Sequence, residues 1–69
     1  PPGFWYEQEK DEWVLLLQGE AIISYRNNDK VLMKTGDYLL IPAKRAHRVD
    51  MTSIDPPCIW LAIFFPSCT

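Results

Sequence analysis

Turn chemistry recurs every few residues along this chain, and that spacing rules out most folds. Glu9-Lys10-Asp11, Gly19-Glu20, Asn27-Asn28-Asp29, Thr35-Gly36-Asp37 and the segment Ser53 to Pro57 each interrupt the apolar pattern. Gly, Asn and Asp accept left-handed backbone and Pro removes a donor, so each cluster ends a regular element. The stretches between show no helical period and no helix cap. They read as strands: Phe4 to Gln8, Glu12 to Gln18, Ala21 to Arg26, Lys30 to Lys34, Tyr38 to Ile41, His47 to Met51 and Cys58 to Phe65. Seven short strands joined by such turns predict an all-β barrel or sandwich.

Within that frame the strands differ. Phe4 to Gln8 puts Tyr6 and Gln8 on one face and Trp5 and Glu7 on the other. Trp13, Val14, Leu15, Leu16 and Leu17 form an unbroken apolar run, which cannot alternate. Both faces of that strand are therefore expected to be covered, one by the barrel interior and one by another layer or chain. Asn27-Asn28-Asp29 fits a hairpin turn. Tyr38 to Ile41 reads as a short buried strand that Pro42 stops, since proline cannot donate to a ladder. A loop follows, and then His47, the chain's one histidine.

Composition narrows the function classes. Sixty-nine residues make one domain, and a core that small needs a staple: a metal, a disulfide or a partner chain. At 48% hydrophobic the chain is too apolar for disorder. A net charge of −2 with no basic run lacks the footprint of a nucleic-acid binder. No apolar stretch is long enough to span a bilayer as a helix. The opening Pro-Pro-Gly-Phe-Trp has no basic n-region, so no signal peptide is read, and a cytoplasmic location with reduced thiols is the expectation. A bridge between Cys58 and Cys68 stays open as the alternative. Cys58 reads as a buried apolar residue, since nothing in sequence activates it. Trp5, Trp13 and Trp60 are expected in the core or at a subunit interface. Arg45 and Arg48 flank His47 and read as solvated surface charges.

Two spacings resemble a known family. Glu12, six residues and Gly19 match the end of the first cupin motif, while Gly36, five residues, Pro42, one residue, Lys44, two residues and His47 match the second. The hairpin between the motifs is short, as in small bacterial cupins. The chain thus resembles a small single-domain cupin of the conserved-barrel type, shortened at its N-terminus, over nearly its whole length. The resemblance implies a small jelly-roll barrel of about seven antiparallel strands, with a missing edge filled by a second subunit. It also marks departures. The family's two first-motif histidines fall on Tyr6 and Gln8, its usual glycine on Lys44, and its frequent asparagine on Met51. Of four family ligand positions, Glu12 and His47 keep the expected residue type.

The residues support a shared site by their own geometry. Tyr6 and Gln8 are two apart on a strand and point the same way, Glu12 opens the neighbouring strand, and His47 joins them if the sheet curls into a barrel. One imidazole, one carboxylate, one amide and one phenol form a thin ligand set for Zn, Mn, Ni or Fe, with Glu12 and His47 the principal donors. A hydrogen-bonded polar cluster is the alternative. The functional expectation is a small-molecule-binding domain that holds a divalent metal or uses Glu12 or His47 as a general base. Two other readings stay open: a non-catalytic ligand sensor, and a structural homodimer built on Trp13 to Leu17 and Ile59 to Phe65. A homodimer is expected in each case.

Overall fold

The computed structural model describes residues 5–66. It contains six strands: β1 (Asp11–Gln18), β2 (Glu20–Tyr25), β3 (Lys30–Lys34), β4 (Tyr38–Ile41), β5 (His47–Thr52) and β6 (Ile59–Phe65). They form two antiparallel sheets, with strand orders β4-β1-β6 and β3-β2-β5. The all-β architecture expected from the turn spacing, and the small jelly-roll barrel implied by the family resemblance, are what the chain forms.

The chain passes from the first sheet to the second at Gly19, whose φ of +98° belongs to the left-handed region. A Cβ there would lie 2.7 Å from Ser53 Oγ and 3.0 Å from Cys58 Sγ, so the crossover needs a residue without one. Thr35 Oγ1 holds both polar groups of Gly19, accepting from its amide and donating to its carbonyl, each at 3.1 Å.

The core lies between the sheets. Leu16 of β1 packs with Ala21 and Ile23 of β2 and Met33 of β3, and Val14 packs with Tyr25 and Ile41. All are buried, and Leu16 and Met33 are the largest side chains closed off from solvent. Trp60, Val31 and Leu39 bridge the two clusters. Burying such side chains is the main favourable term available to a chain of this size.

Three expectations change. The strand Phe4 to Gln8 is a single bridge, in which the Tyr6 amide donates to the His47 carbonyl at 2.7 Å and the His47 amide to the Tyr6 carbonyl at 3.0 Å. The ladder stops there because the Gln8 carbonyl accepts from the Lys44 amide (2.7 Å), in the loop before β5. Phe4 lies outside the described residues. β4 is buried on one face only: Ile41 is enclosed while Tyr38 and Leu40 are exposed. Trp5 is a half-buried platform for two guanidinium groups, Arg26 at 4.7 Å and Arg48 at 4.6 Å from its ring centre, and takes no part in the core. Trp60 does pack on the core, and Trp13 stacks on Tyr38 on the outer side of its sheet. Cys58 is half-buried and its thiol donates to the Glu20 carbonyl at 3.1 Å. Cys68 lies outside the described residues.

Candidate functional site

Backbone contacts fix the loop that delivers His47. After Pro42 ends β4, the Ala43 amide donates to the Asp11 carboxylate at 2.7 Å and the Lys44 amide to Gln8. Lys44 sits at φ 64°, left-handed backbone that costs a side-chain-bearing residue energy. The chain then turns back as β5, and His47 pairs with Tyr25 on β2 and with Tyr6 on its other side.

His47 is buried, with its ring facing inward. Its Nδ1 lies 3.1 Å from the Arg45 carbonyl oxygen. A carbonyl only accepts, so Nδ1 carries the proton of the neutral imidazole and Nε2 presents a lone pair. Glu12 Oε1 lies 3.9 Å from that nitrogen. Glu12 comes from the other sheet, at the start of β1, with its side chain 14% exposed. Gln8 Nε2 donates to the same Oε1 at 3.0 Å. The Tyr6 ring lies 6.0 Å from the imidazole at a 33° tilt.

These four side chains line one cavity of about 270 Å³ between the sheets. Seven apolar residues complete it: Val14, Ile23, Ile41, Val49, Trp60, Ala62 and Phe64. The walls are thus largely hydrocarbon with the polar groups gathered at one end, the usual plan of a small-molecule site. None of the chain's seven lysines and arginines is among them. Tyr6, Gln8, Glu12 and His47, the candidates read from sequence, are brought together. The Arg45 carbonyl that orients His47, and Trp60, Ala62 and Phe64 of β6, were not among those candidates. A main-chain oxygen leaves no mark in sequence, whereas the alternation along β6 could have placed its three residues on the inner face. Met51, at the family's frequent asparagine, is exposed on β5 and does not line the cavity.

The donor chemistry decides how a metal would sit here. Among the described residues, no three His, Cys, Asp or Glu side chains converge. The carboxylate of Glu12 and Nε2 of His47 are two good donors, and the Tyr6 phenol and Gln8 amide are weak ones. Such a set fits a divalent ion held at two protein positions, with water or a ligand at the rest.

A separate polar cluster lies on the other sheet. Buried Ser24 donates to Asp50, which also accepts from Lys30 at 3.3 Å and Arg48 at 2.5 Å. The Ser24 bond first, with the Lys30 and Arg48 contacts adding to it, holds the Asp50 carboxyl below its ordinary value. Tyr25 is shifted the other way, its phenol raised chiefly by burial, although the Arg45 guanidinium 3.7 Å over its ring opposes that rise.

The family model described as "Cupin domain" matches residues 2–64. The chain belongs to the cupin family. No curated protein matches this cupin. Its fold is similar to that of a Ralstonia eutropha JMP134 protein named as a proposed mannose-6-phosphate isomerase, with TM-score 0.87 and 40% identity over 97% of this chain and 63% of that one. A Neisseria meningitidis protein shares the fold at TM-score 0.76 and 15% identity, over 87% of this chain and 59% of its own. A Salmonella typhimurium LT2 protein named as a proposed ethanolamine utilization protein Q does so at 0.72 and 22%, over 91% and 48%. The cupin described here thus spans between 48% and 63% of the length of these solved proteins.

Proposed function

We propose that this cupin binds a small, mostly apolar organic molecule, with a hydrogen-bond-donating head group seated between Glu12 and His47. One observation carries the reading: in the neutral imidazole, two acceptors, Glu12 Oε1 and His47 Nε2, face each other 3.9 Å apart at the polar end of a hydrocarbon-walled cavity. A hydroxyl, amine or ammonium group satisfies both at once, and the apolar remainder of the ligand replaces water along Val14, Ile41 and Trp60. The isomerase name of the Ralstonia protein suggests a sugar phosphate. The cavity wall favours an uncharged or cationic ligand instead, since it holds a carboxylate and no lysine or arginine to meet a phosphate.

The test is a ligand-detected NMR screen of small aromatic and aliphatic alcohols and amines, repeated on Ala62→Trp. That substitution fills the cavity and leaves the four polar side chains in place. Saturable binding that Ala62→Trp abolishes and Glu12→Gln weakens supports the reading. Binding that survives Ala62→Trp, or none across the screen, overturns it.

A second reading has its own support. The hydrogen bond from His47 Nδ1 to the Arg45 carbonyl is the kind of outer contact that orients a metal-binding imidazole. On this reading Glu12 and His47 hold a divalent ion such as Zn²⁺, Mn²⁺, Ni²⁺ or Fe²⁺, while Gln8 and Tyr6 steer the carboxylate and close the mouth. Such an ion supplies Lewis acidity to an oxygen of the bound molecule.

A further inference from the structure

The polar end of the cavity accepts more hydrogen bonds than it donates. Glu12 carries the only formal charge among the lining residues, and that charge is negative. It offers two carboxylate oxygens, and neutral His47 offers Nε2. Gln8 spends an N–H on Glu12 and keeps its amide oxygen as a further acceptor. The donors left are the Tyr6 hydroxyl and the second N–H of Gln8, both neutral. Aromatic rings border the same corner. Phe64 on β6 is the cross-strand partner of Glu12 and both line the cavity, so the ring stands beside the carboxylate. The Tyr6 ring lies 6.0 Å from that of His47. Along β6 the inward positions run Trp60, Ala62, Phe64, and Ala62, opposite Val14, leaves a slot between two large rings.

We propose that the ligand is a protonated primary amine on a short, flat hydrocarbon body, an arylalkylamine in chemical class. This inference rests on the cavity being the binding site proposed above, and it fixes the charge and donor count of the head group. A primary ammonium carries one positive charge and three N–H donors, which match Glu12, His47 and Gln8 in sign and in number. A hydroxyl brings one donor and no charge, so it leaves acceptors unanswered and the carboxylate uncompensated beside a hydrocarbon wall. A quaternary ammonium brings charge without an N–H, and its methyl groups keep donors away from Glu12 and His47. An anionic head group meets a carboxylate and no lysine or arginine. The Phe64 and Tyr6 rings add to the preference, since ring faces attract cations within about 6 Å. At about 270 Å³ the cavity lies just below the usual range for drug-sized ligands, which suits one ring on a short chain.

Ligands of one shape and different head groups test this: phenethylamine, phenethyl alcohol, trimethyl-phenethyl-ammonium and hydrocinnamate. Dissociation constants are measured by ligand-detected NMR and tryptophan fluorescence at neutral pH, with EDTA present to keep Glu12 and His47 free of metal. Phenethylamine is expected to bind about 10-fold or more tighter than the alcohol, the gap between charge-assisted and neutral hydrogen bonds. The quaternary ammonium and the carboxylate are expected to fall behind the amine by at least as much. Glu12→Gln is expected to bring the amine within about 3-fold of the alcohol, because the charge assistance is gone. Phe64→Leu is expected to weaken the amine about 3-fold more than the alcohol. If Glu12→Gln fails to fold, the ranking of the ligands on the wild type decides alone. An amine no tighter than the alcohol overturns this inference and leaves the cavity standing as a ligand site. So does a quaternary ammonium that matches the amine, or an amine preference that survives in folded Glu12→Gln. No binding by any of these ligands also overturns it, and no binding across the wider screen of alcohols and amines overturns the earlier reading as well.

Discussion

Glu12 Oε1 and His47 Nε2 stand 3.9 Å apart although they arise from different sheets. Two main-chain contacts, Tyr6 with His47 and Lys44 with Gln8, tie the segment before β1 to β5 and its loop, the Ala43 amide ties that loop to Asp11 of β1, and His47 Nδ1 on the Arg45 carbonyl sets the imidazole. The pair is therefore a readout of the fold as well as the centre of the proposed binding site.

Removing one member of the pair should expose both roles. On the metal reading, tag-free protein titrated with Zn²⁺ takes up about one ion per chain, and Glu12→Gln or His47→Ala should weaken that uptake by roughly 100-fold, the scale on which metal sites respond to altered contacts. His47→Ala should also lower stability by about 1–3 kcal/mol, because it opens a void and strips the Arg45 carbonyl of its donor. Calorimetric titration and chemical denaturation measure the two effects separately. No uptake by the wild type sinks the metal reading and leaves the organic-ligand reading standing.

Much of this arrangement was legible in the residues. The spacing from Glu12 to Gly19 and from Gly36 to His47 located two positive-φ glycines and two members of the polar set, Glu12 and His47, because turns and a proline stop carry strong local chemistry. Six of the seven expected strands formed, with ends shifted by a residue at Glu12, Ala21, Arg26, Met51 and Cys58. The strand through Tyr6 was misjudged because its extent depends on where the Gln8 carbonyl finds a donor, and that donor is Lys44, far along the chain. Trp5 was misjudged for a similar reason: its two arginine neighbours become neighbours only once β2 and β5 pair. The sequence reading of β1 as covered on both faces holds within this chain for the inner one; Leu17 on the outer side stays exposed.

Two positions with positive φ should respond in opposite directions. Lys44 occupies φ 64° and its exposed ion pair with Glu9, at 3.9 Å, contributes little. Lys44→Gly is expected to raise stability by about 0.5–1 kcal/mol, since glycine enters the left-handed region without a Cβ penalty. Gly19→Ala should lower it by at least about 2 kcal/mol, because the new Cβ is strained by the backbone and also meets Ser53 Oγ. Urea denaturation of both variants measures the contrast, and a stabilising Gly19→Ala would contradict the crossover described here.

Acid should act through Asp50. Its carboxyl is held low in the folded state, first by Ser24 and then by Lys30 and Arg48. A depressed carboxyl contributes stability that is fully present above its unfolded value and is lost as pH falls through the folded one. Melting temperature should therefore decline as pH drops from about 6 toward about 2, below the ordinary range of an aspartate. In Asp50→Asn that part of the decline should vanish, and in Ser24→Ala the NMR titration of Asp50 should move upward. An Asp50 titration unmoved by Ser24→Ala would show that the lysine and arginine, not the serine, set its value.

The last prediction concerns where stability resides. Leu16 is fully buried between the sheets, whereas Leu40 is half exposed on the outer face of the same sheet. Leu16→Ala removes core contacts and leaves a void, which costs about 2–5 kcal/mol, much of what so small a domain can have. It should unfold the chain or bring its melting temperature close to the working range at every concentration. Leu40→Ala leaves the buried clusters between the sheets alone and should cost about 1 kcal/mol or less. Chemical denaturation of the two variants measures the contrast. A Leu40→Ala loss as large as that of Leu16→Ala would mean that this face is buried, against the topology of β4, β1 and β6.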